Sequence, residues 1–147
     1  MANAYAKRGY AYLPLNYYQQ ARNDLTIARG KDPQRFEAHH NLGLLEARLN
    51  NFPGAIDHYR KALAIAENQF VTRYNLALAY YQSGKTAEAR AEFQRVLASA
   101  PPDSVEARQA RIQWSLPAGS ARTPSGVEKT VEERQHDEAD DRPASGR

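Results

Sequence analysis

Apolar and small residues between positions 36 and 69 fall at the spacing of two short amphipathic helices joined by a tight turn. Residues 41–45 mark the centre of the first helix and residues 55–63 the centre of the second. The same pattern begins again at position 70 and is also found from position 2 onward. A period of about this length is typical of a helical solenoid, in which stacked helix pairs share one core. The three copies, called repeats one to three, span residues 2–35, 36–69 and 70–103.

Small residues hold two matching places in every repeat. Counted from the first residue of each repeat, places eight and twenty are held by Gly9, Gly43, Ala77, Ala21, Ala55 and Ala89. Two antiparallel helices approach closely only where neither carries a bulky side chain. We therefore expect the two helices of each repeat to meet at these places. Large residues at places seven, eleven and twenty-four would fill the space around the contact.

Turn signals divide the first 116 residues into about seven helices. Pro14 ends the first helix, and Asn16 follows at a turn where a left-handed conformation is tolerated. Gly30 is predicted to lie just past the second helix, and Gly84 is the expected turn glycine of repeat three. Thr86 is predicted to cap the sixth helix. The predicted helices span about 2–13, 17–29, 35–48, 53–66, 70–82, 86–98 and 104–116.

The matching places resemble the tetratricopeptide repeat (TPR) family. That family has a large residue at place four, Leu at seven, Gly or Ala at eight, Tyr at eleven, Ala at twenty, an aromatic residue at twenty-four, Ala at twenty-seven and Pro at thirty-two. Repeat two matches this pattern with Leu42, Gly43, Ala55, Tyr59 and Ala62. The resemblance covers residues 2–103. It implies an all-α fold, a right-handed superhelix of antiparallel helix pairs.

Several positions depart from the family pattern. Arg8 stands where a leucine is expected, and Glu46 stands where a tyrosine is expected. Glu67 replaces the proline and Val96 replaces an alanine. Repeat one is thus the weakest match, as a terminal repeat often is.

The sequence predicts a TPR domain at residues 1–116 and a disordered charged tail at residues 117–147. Residues 104–116 resemble the first helix of a fourth repeat, and we expect this helix to cover the open end of the solenoid. In the tail, Val127 and Val131 are the only larger aliphatic residues. Such a segment cannot bury enough apolar surface to offset the entropy that it would lose on folding.

The net charge of +3 is unevenly divided along the chain. Residues 1–116 hold 15 Lys and Arg against 10 Asp and Glu, whereas residues 117–147 hold 5 against 7. A mildly basic body attracts acidic partners, although a charge of this size is common among proteins of every function.

In a TPR solenoid, the first helix of each repeat lines an inner groove at places two, five, six, nine, twelve and thirteen. The resemblance therefore implies a groove that binds a protein or peptide segment. Place nine would form an apolar row, and the asparagines at place six would hold a ligand's backbone amides. The candidate groove residues are Asn3, Lys7, Tyr10, Glu37, His40, Asn41, Leu44, Arg48, Val71, Tyr74, Asn75, Leu78, Tyr81 and Gln82.

One TPR subgroup binds the acidic tails of heat-shock chaperones through a carboxylate clamp. The clamp resembles Lys at place five and Asn at place nine of one repeat, Asn at place six of the next, then Lys at two and Arg at six. The corresponding residues here are Ala6, Tyr10, Asn41, Val71 and Asn75. Only Asn41 matches, so a terminal carboxylate lacks its charged partners. We expect no binding of that type.

Nothing in the sequence points to catalysis. The chain has no cysteine, and no metal-binding, phosphate-binding or triad motif occurs in it. His39 and His40 are adjacent, so on a helix they point in different directions and cannot bind one metal ion together. We therefore expect a non-enzymatic protein without cofactor or metal.

The leading hypothesis is a scaffold or adaptor in the assembly of a larger complex, with a loose likeness to bacterial cell-envelope and pilus assembly modules. Two alternatives remain at this point. The open ends of the solenoid could associate into a homo-oligomer, or a basic surface could bind RNA, a partner disfavoured because the cations do not gather in the groove. No apolar run approaches the length of a membrane span. The compartment is unknown, with cytoplasm and bacterial periplasm both open.

Overall fold

The structure, a computed structural model, describes residues 2–114, including the side chains of residues 2–113. This part of the chain contains seven α-helices and no strand. The predicted disordered tail lies outside the described residues, as do the last two residues of the predicted capping helix. The helices are α1 (Ala2–Tyr12), α2 (Tyr18–Lys31), α3 (Phe36–Arg48), α4 (Phe52–Ile65), α5 (Phe70–Gln82), α6 (Thr86–Ser99) and α7 (Val105–Trp114).

The helices form three hairpins that stack in chain order. The pairs α1–α2, α3–α4 and α5–α6 make the hairpins, and α2, α4 and α6 each contact the first helix of the next unit. The odd-numbered helices also contact one another along the stack, whereas no even-numbered helix of the described chain contacts another even-numbered helix. The odd-numbered helices are therefore crowded on the inner side of a curved stack. The predicted all-α helical-repeat superhelix is confirmed.

A left-handed residue at place fifteen reverses the chain in every hairpin. Asn16 has a φ of 63°, Asn50 of 59° and Gly84 of 81°. Asparagine and glycine are the residues that adopt this conformation at least cost. The expectations for Asn16 and Gly84 are confirmed.

Two predicted helix ends are wrong. Gly30 lies inside α2, because the Asp32 amide still donates to the Ala28 carbonyl and the helix continues to Lys31. Thr86 is the first residue of α6, and Lys85 holds the N-cap position without a side-chain cap. The Lys85 carbonyl already accepts the first helical hydrogen bond of α6, so Thr86 lies inside the helix instead of capping it.

Each hairpin closes where a small residue at place eight faces the large residue at place twenty-four. A Cβ atom added to Gly43 would lie 2.5 Å from ring carbons of Tyr59, which is 1% exposed. A Cβ atom added to Gly9 would lie 2.6 Å from Leu25 Cγ. Real Cβ atoms do not come that close, so glycine permits the observed helix separation in repeats one and two.

We expect Gly43→Ala to lower the free energy of unfolding by up to about 2 kcal/mol. Overpacking against the immobile Tyr59 ring costs about 1–3 kcal/mol, which exceeds the gain of about 1 kcal/mol from alanine in a helix. Gly30→Ala is the matched control, because Gly30 is also helical but has no atom within 4 Å of an added Cβ. The control should raise the unfolding free energy in the same denaturant titrations. Stabilisation by both substitutions would contradict the close contact.

The Arg8 departure gives an ion pair within the first described hairpin. At the same place, Leu42 and Leu76 are buried against the preceding hairpin. No described hairpin precedes Arg8, and its guanidinium instead binds the Asp24 carboxylate through two bonds of 2.6 and 2.8 Å. A leucine there would expose apolar surface at the end of the described stack.

The Glu46 departure joins two repeats. Its carboxylate accepts hydrogen bonds from Arg22 of α2 at 2.8 Å and from Asn51 at 2.7 Å. Asn51 in turn caps α4 by accepting a bond from the Gly54 amide. The glutamate therefore replaces an aromatic packing contact with an ion pair between repeats one and two.

Candidate binding groove

The candidate groove residues differ in how much surface they offer. Of the fourteen, seven are exposed: Asn3, Lys7, Tyr10, Glu37, Arg48, Val71 and Gln82. Five are half-buried: His40, Leu44, Tyr74, Asn75 and Leu78. Asn41 and Tyr81 are buried. Tyr81 belongs to the core cluster around Phe93, and Leu13, at the same place of repeat one, is buried as well. Place twelve therefore offers a ligand little surface in these two repeats.

A cavity of about 420 Å³ opens between α1 and α3. Every residue that lines it holds a predicted groove place in repeat one or two. The lining residues are Asn3, Ala6, Lys7, Tyr10, Glu37, His40 and Asn41. The structure thus brings together six of the fourteen candidate residues around one space.

The cavity combines charged, aromatic and amide groups. Lys7 supplies a cation and Glu37 a carboxylate, and Tyr10 is 53% exposed. The Asn41 side-chain amide donates to the Ala6 carbonyl at 3.4 Å, so it ties α3 to α1. This mixture suits a peptide, which presents both polar backbone groups and side chains.

His40 connects the cavity to the next repeat. Its Nδ1 atom lies 2.8 Å from the Thr72 hydroxyl oxygen on α5, and its ring stacks on Phe36. Burial lowers the pKa of His40 to about 4, and the nearby Glu37 opposes this only in part. The imidazole is therefore neutral at physiological pH and holds repeats two and three together.

The apolar row at place nine is only partly open. Leu44 and Leu78 pack against the core clusters of the neighbouring helices and are half-buried. Tyr10 is exposed at one end of the row. The two leucines therefore serve the core as well as the groove.

The last helix continues the groove beyond the three predicted repeats. On α7, Val105 and Ile112 hold places two and nine and are 58% and 53% exposed. They stand one full repeat after Val71 and Leu78, which is the signal that sequence reasoning missed when it treated α7 only as a cap. Four of the eight exposed large hydrophobic residues lie at groove places two and nine: Tyr10, Val71, Val105 and Ile112.

The groove is also more basic than the three repeats indicated. With α7 included, its places carry Lys7, Arg48 and Arg108 against Glu37 alone. None of the three cations is ion-paired with another residue of the described chain.

Cations on the other faces are often neutralised by acids. Arg22 pairs with Glu46, Lys61 with Asp57, and Arg73 and Arg95 both pair with Glu92 at 2.9 and 2.8 Å. Within residues 2–114, these ion pairs reduce the positive potential of the outer face, which weakens the attraction that nucleic acid requires.

A second cavity of about 540 Å³ lies among α4, α5 and α6 on the side away from the groove. Ile56, Leu63 and Leu76 form its apolar part, and side chains of both charges surround them.

Within residues 2–114, no cluster of three or more His, Asp or Glu side chains is arranged to hold a metal ion. No helix in the same range combines the length and apolar character needed to cross a bilayer.

Two models of the tetratricopeptide repeat family match the sequence, one over residues 6–70 and the other over residues 44–112. No curated protein matches the chain in sequence. Several solved structures resemble it at low identity, which shows a common fold.

Three of these structures illustrate the range of proteins that share the fold. The TPR domain of P58(IPK) has a TM-score of 0.71 and 20% identity over 78% of this chain, which spans only 32% of that protein chain. The first TPR domain of Spaghetti (RPAP3), bound to the HSP90 peptide SRMEEVD, has a TM-score of 0.69 and 21% identity over 78% of this chain and 94% of its own. The Yersinia enterocolitica type III secretion translocator chaperone SycD has a TM-score of 0.70 and 15% identity over 77% of this chain and 80% of its own.

The sequence matches and the fold agree on the repeat unit. Together the two matches span residues 6–112. This range includes nearly all of α7 and all three hairpins except for the first residues of α1. The chain belongs to the tetratricopeptide repeat family.

Proposed function

We propose that this protein is a non-catalytic scaffold that binds a segment of a partner protein in the groove formed by α1, α3, α5 and α7. The observation that carries the proposal is the coincidence of open apolar surface with the groove. Half of the exposed large hydrophobic residues lie at its places two and nine, and a cavity of about 420 Å³ opens between its first two helices. Exposed apolar side chains gathered in a concave surface mark a protein-binding site.

The occupant fits the groove as an extended peptide or an amphipathic helix. The aliphatic end of the groove, at α5 and α7, accepts apolar side chains, and the cavity at α1 and α3 accepts polar ones. The structural neighbours include a TPR domain bound to a peptide and a translocator chaperone, which supports a role in bringing proteins together. More specifically, we propose that the scaffold helps to assemble a larger complex.

A pull-down with two matched variants tests the groove. Val71→Asp combined with Val105→Asp places charges on the apolar end of the groove, at residues exposed enough to spare the core. We expect partner affinity to fall at least tenfold, about 1.4 kcal/mol, because each aspartate must lose its hydration on binding. Ile27→Asp, at an exposed site on α2, is the control. With helicity unchanged in both proteins, equal partner recovery would place the site elsewhere.

We expect no carboxylate-clamp binding of a peptide that ends in Glu-Glu-Val-Asp. The cations of the clamp are absent, and Asn41, its one matching residue, is buried with its amide bonded to Ala6. Calorimetry should show the same weak or absent binding for the free acid and for the C-terminal amide of the peptide. A tenfold preference for the free acid would show that a terminal carboxylate is recognised after all.

The two alternatives receive less support from the described surfaces. Head-to-tail stacking would bury the exposed guanidinium of Arg8, which already forms an ion pair with Asp24 at one end of the described stack. RNA binding is disfavoured by the acids that pair with cations on the outer face.

A further inference from the structure

The apolar end of the groove carries a cation that faces the same space. Val71 and Val105, at place two, are exposed along the groove side of α5 and α7. Arg108 lies one turn after Val105 on α7, is exposed, and has no ion pair within the described chain. Together with Ile112, these residues form a surface that we call the aliphatic–basic strip. A complementary occupant combines small aliphatic side chains with acids.

The chain itself contains a segment with that composition. Residues 127–141 hold seven acids and two bases, which include every acid of the tail. Val127 and Val131, its two aliphatic residues, are four positions apart, the spacing of one helix face. Residues 1–116 carry five more bases than acids, so segment and body attract each other.

The segment is close enough to reach the strip. The described chain ends at Trp114, the last residue of α7, and twelve residues separate that position from residue 127. Twelve residues extend to about 40 Å, whereas the ten residues of α7 span about 15 Å. Pro117, Gly119, Pro124 and Gly126 occur in the connection, and such residues favour chain reversal. Tethering of this kind gives an effective concentration on the order of millimolar.

We infer that residues 127–141 bind the aliphatic–basic strip of the same molecule, with the valines against Val71, Val105 and Ile112 and the acids near Arg108. The inference rests on the proposed function, because it assigns a competitor to the same groove. A partner segment must displace residues 127–141. The affinity of the groove for a partner therefore rises when the binding of residues 127–141 to the strip is weakened.

The absence of cysteine makes a clean experiment possible. Ser125→Cys in the full chain gives a single site for a nitroxide label next to the segment. The label should broaden amide NMR signals of α5 and α7 at residues 71, 78, 105 and 112, and spare Lys61 and Gln94 on the outer helices. Neutralising four acids (Glu132→Gln, Glu133→Gln, Asp137→Asn and Glu138→Gln) should abolish the effect. Arg108→Gln should reduce it severalfold, whereas Arg60→Gln, an exposed outer control, should leave it unchanged.

A mixed sample separates contacts within one molecule from contacts between two. Labelled protein without ¹⁵N is added to ¹⁵N protein without the label, and the inference predicts no broadening. Broadening in the mixture equal to that in the single protein would overturn the intramolecular contact. Uniform or absent broadening in the single protein would overturn the inference altogether. The proposed function would survive that result if Val71→Asp with Val105→Asp still lowered partner affinity at least tenfold.

Discussion

Replacing Tyr59 by alanine should lower the free energy of unfolding by about 3–5 kcal/mol. Tyr59 is 1% exposed, faces Gly43 of α3 and contacts the ring of His40 at a centroid distance of 5.9 Å. Removing a buried aromatic ring forfeits its transfer free energy and leaves a cavity that the surrounding helices fill only in part. Urea denaturation followed by circular dichroism measures the loss.

The matched control is Tyr17→Ala, because Tyr17 is 50% exposed between α1 and α2. It should change the unfolding free energy by no more than about 0.5 kcal/mol. The pair of Tyr59 and Gly43 adds a sharper check. In the Tyr59→Ala background the ring is gone, so Gly43→Ala should stabilise by up to about 1 kcal/mol instead of destabilising. The same sign in both backgrounds would contradict the contact.

Lowering the pH from 7 to 5 should remove about 2 kcal/mol of stability through the proton uptake of His40 on unfolding. Its folded pKa of about 4 lies below the ordinary value of 6.5 because burial disfavours the charged ring. The unfolded chain therefore binds a proton first, and the stabilisation present above pH 6.5 is lost as the pH falls toward 4. Denaturation midpoints at pH 7, 6 and 5 measure the slope.

His40→Gln is the variant that tests the assignment. It should be less stable at pH 7, because the contacts with Thr72 and Phe36 change, but its stability should fall less between pH 7 and 5. The slope will not vanish, because burial also lowers the pKa of His58. An unchanged slope in His40→Gln would show that other groups cause the acid sensitivity.

The repeat and its core could be predicted because they depend on local packing. A helix pair can pack closely only if the residue at place eight is small. Small residues therefore recur at a fixed period, as Gly9, Gly43 and Ala77. The left-handed turn residue does the same at place fifteen, where Asn16, Asn50 and Gly84 differ in type but share a positive φ. Such signals can be recognised in the sequence without any knowledge of the tertiary structure.

Other features depended on neighbours that a single repeat does not reveal. Gly30 carries the residue type of a helix end, yet the backbone bond from Asp32 to Ala28 keeps it helical. Tyr81 holds a groove place in the family pattern, but contacts with α6 and α7 bury it.

The role of α7 also depended on exposure that the sequence pattern does not reveal. Val105 and Ile112 were predicted only to belong to a cap, because the fourth repeat lacks a second helix in the sequence pattern. In the structure both side chains are exposed on α7, at the same places as the candidate groove residues Val71 and Leu78. The first helix of an incomplete repeat can therefore present the same places as the first helices of the complete repeats.

Photo-crosslinking from single positions tests most directly whether the inner surface is where a partner is held. A photoreactive side chain is placed at residue 71 or 105 in the groove, or at residue 61 or 94 on the outer helices, all of which are exposed. Both groove positions should capture the same partner through one contiguous segment of its chain, and the outer positions should capture none of it. Capture of that partner from positions 61 and 94, with none from 71 and 105, would contradict the account.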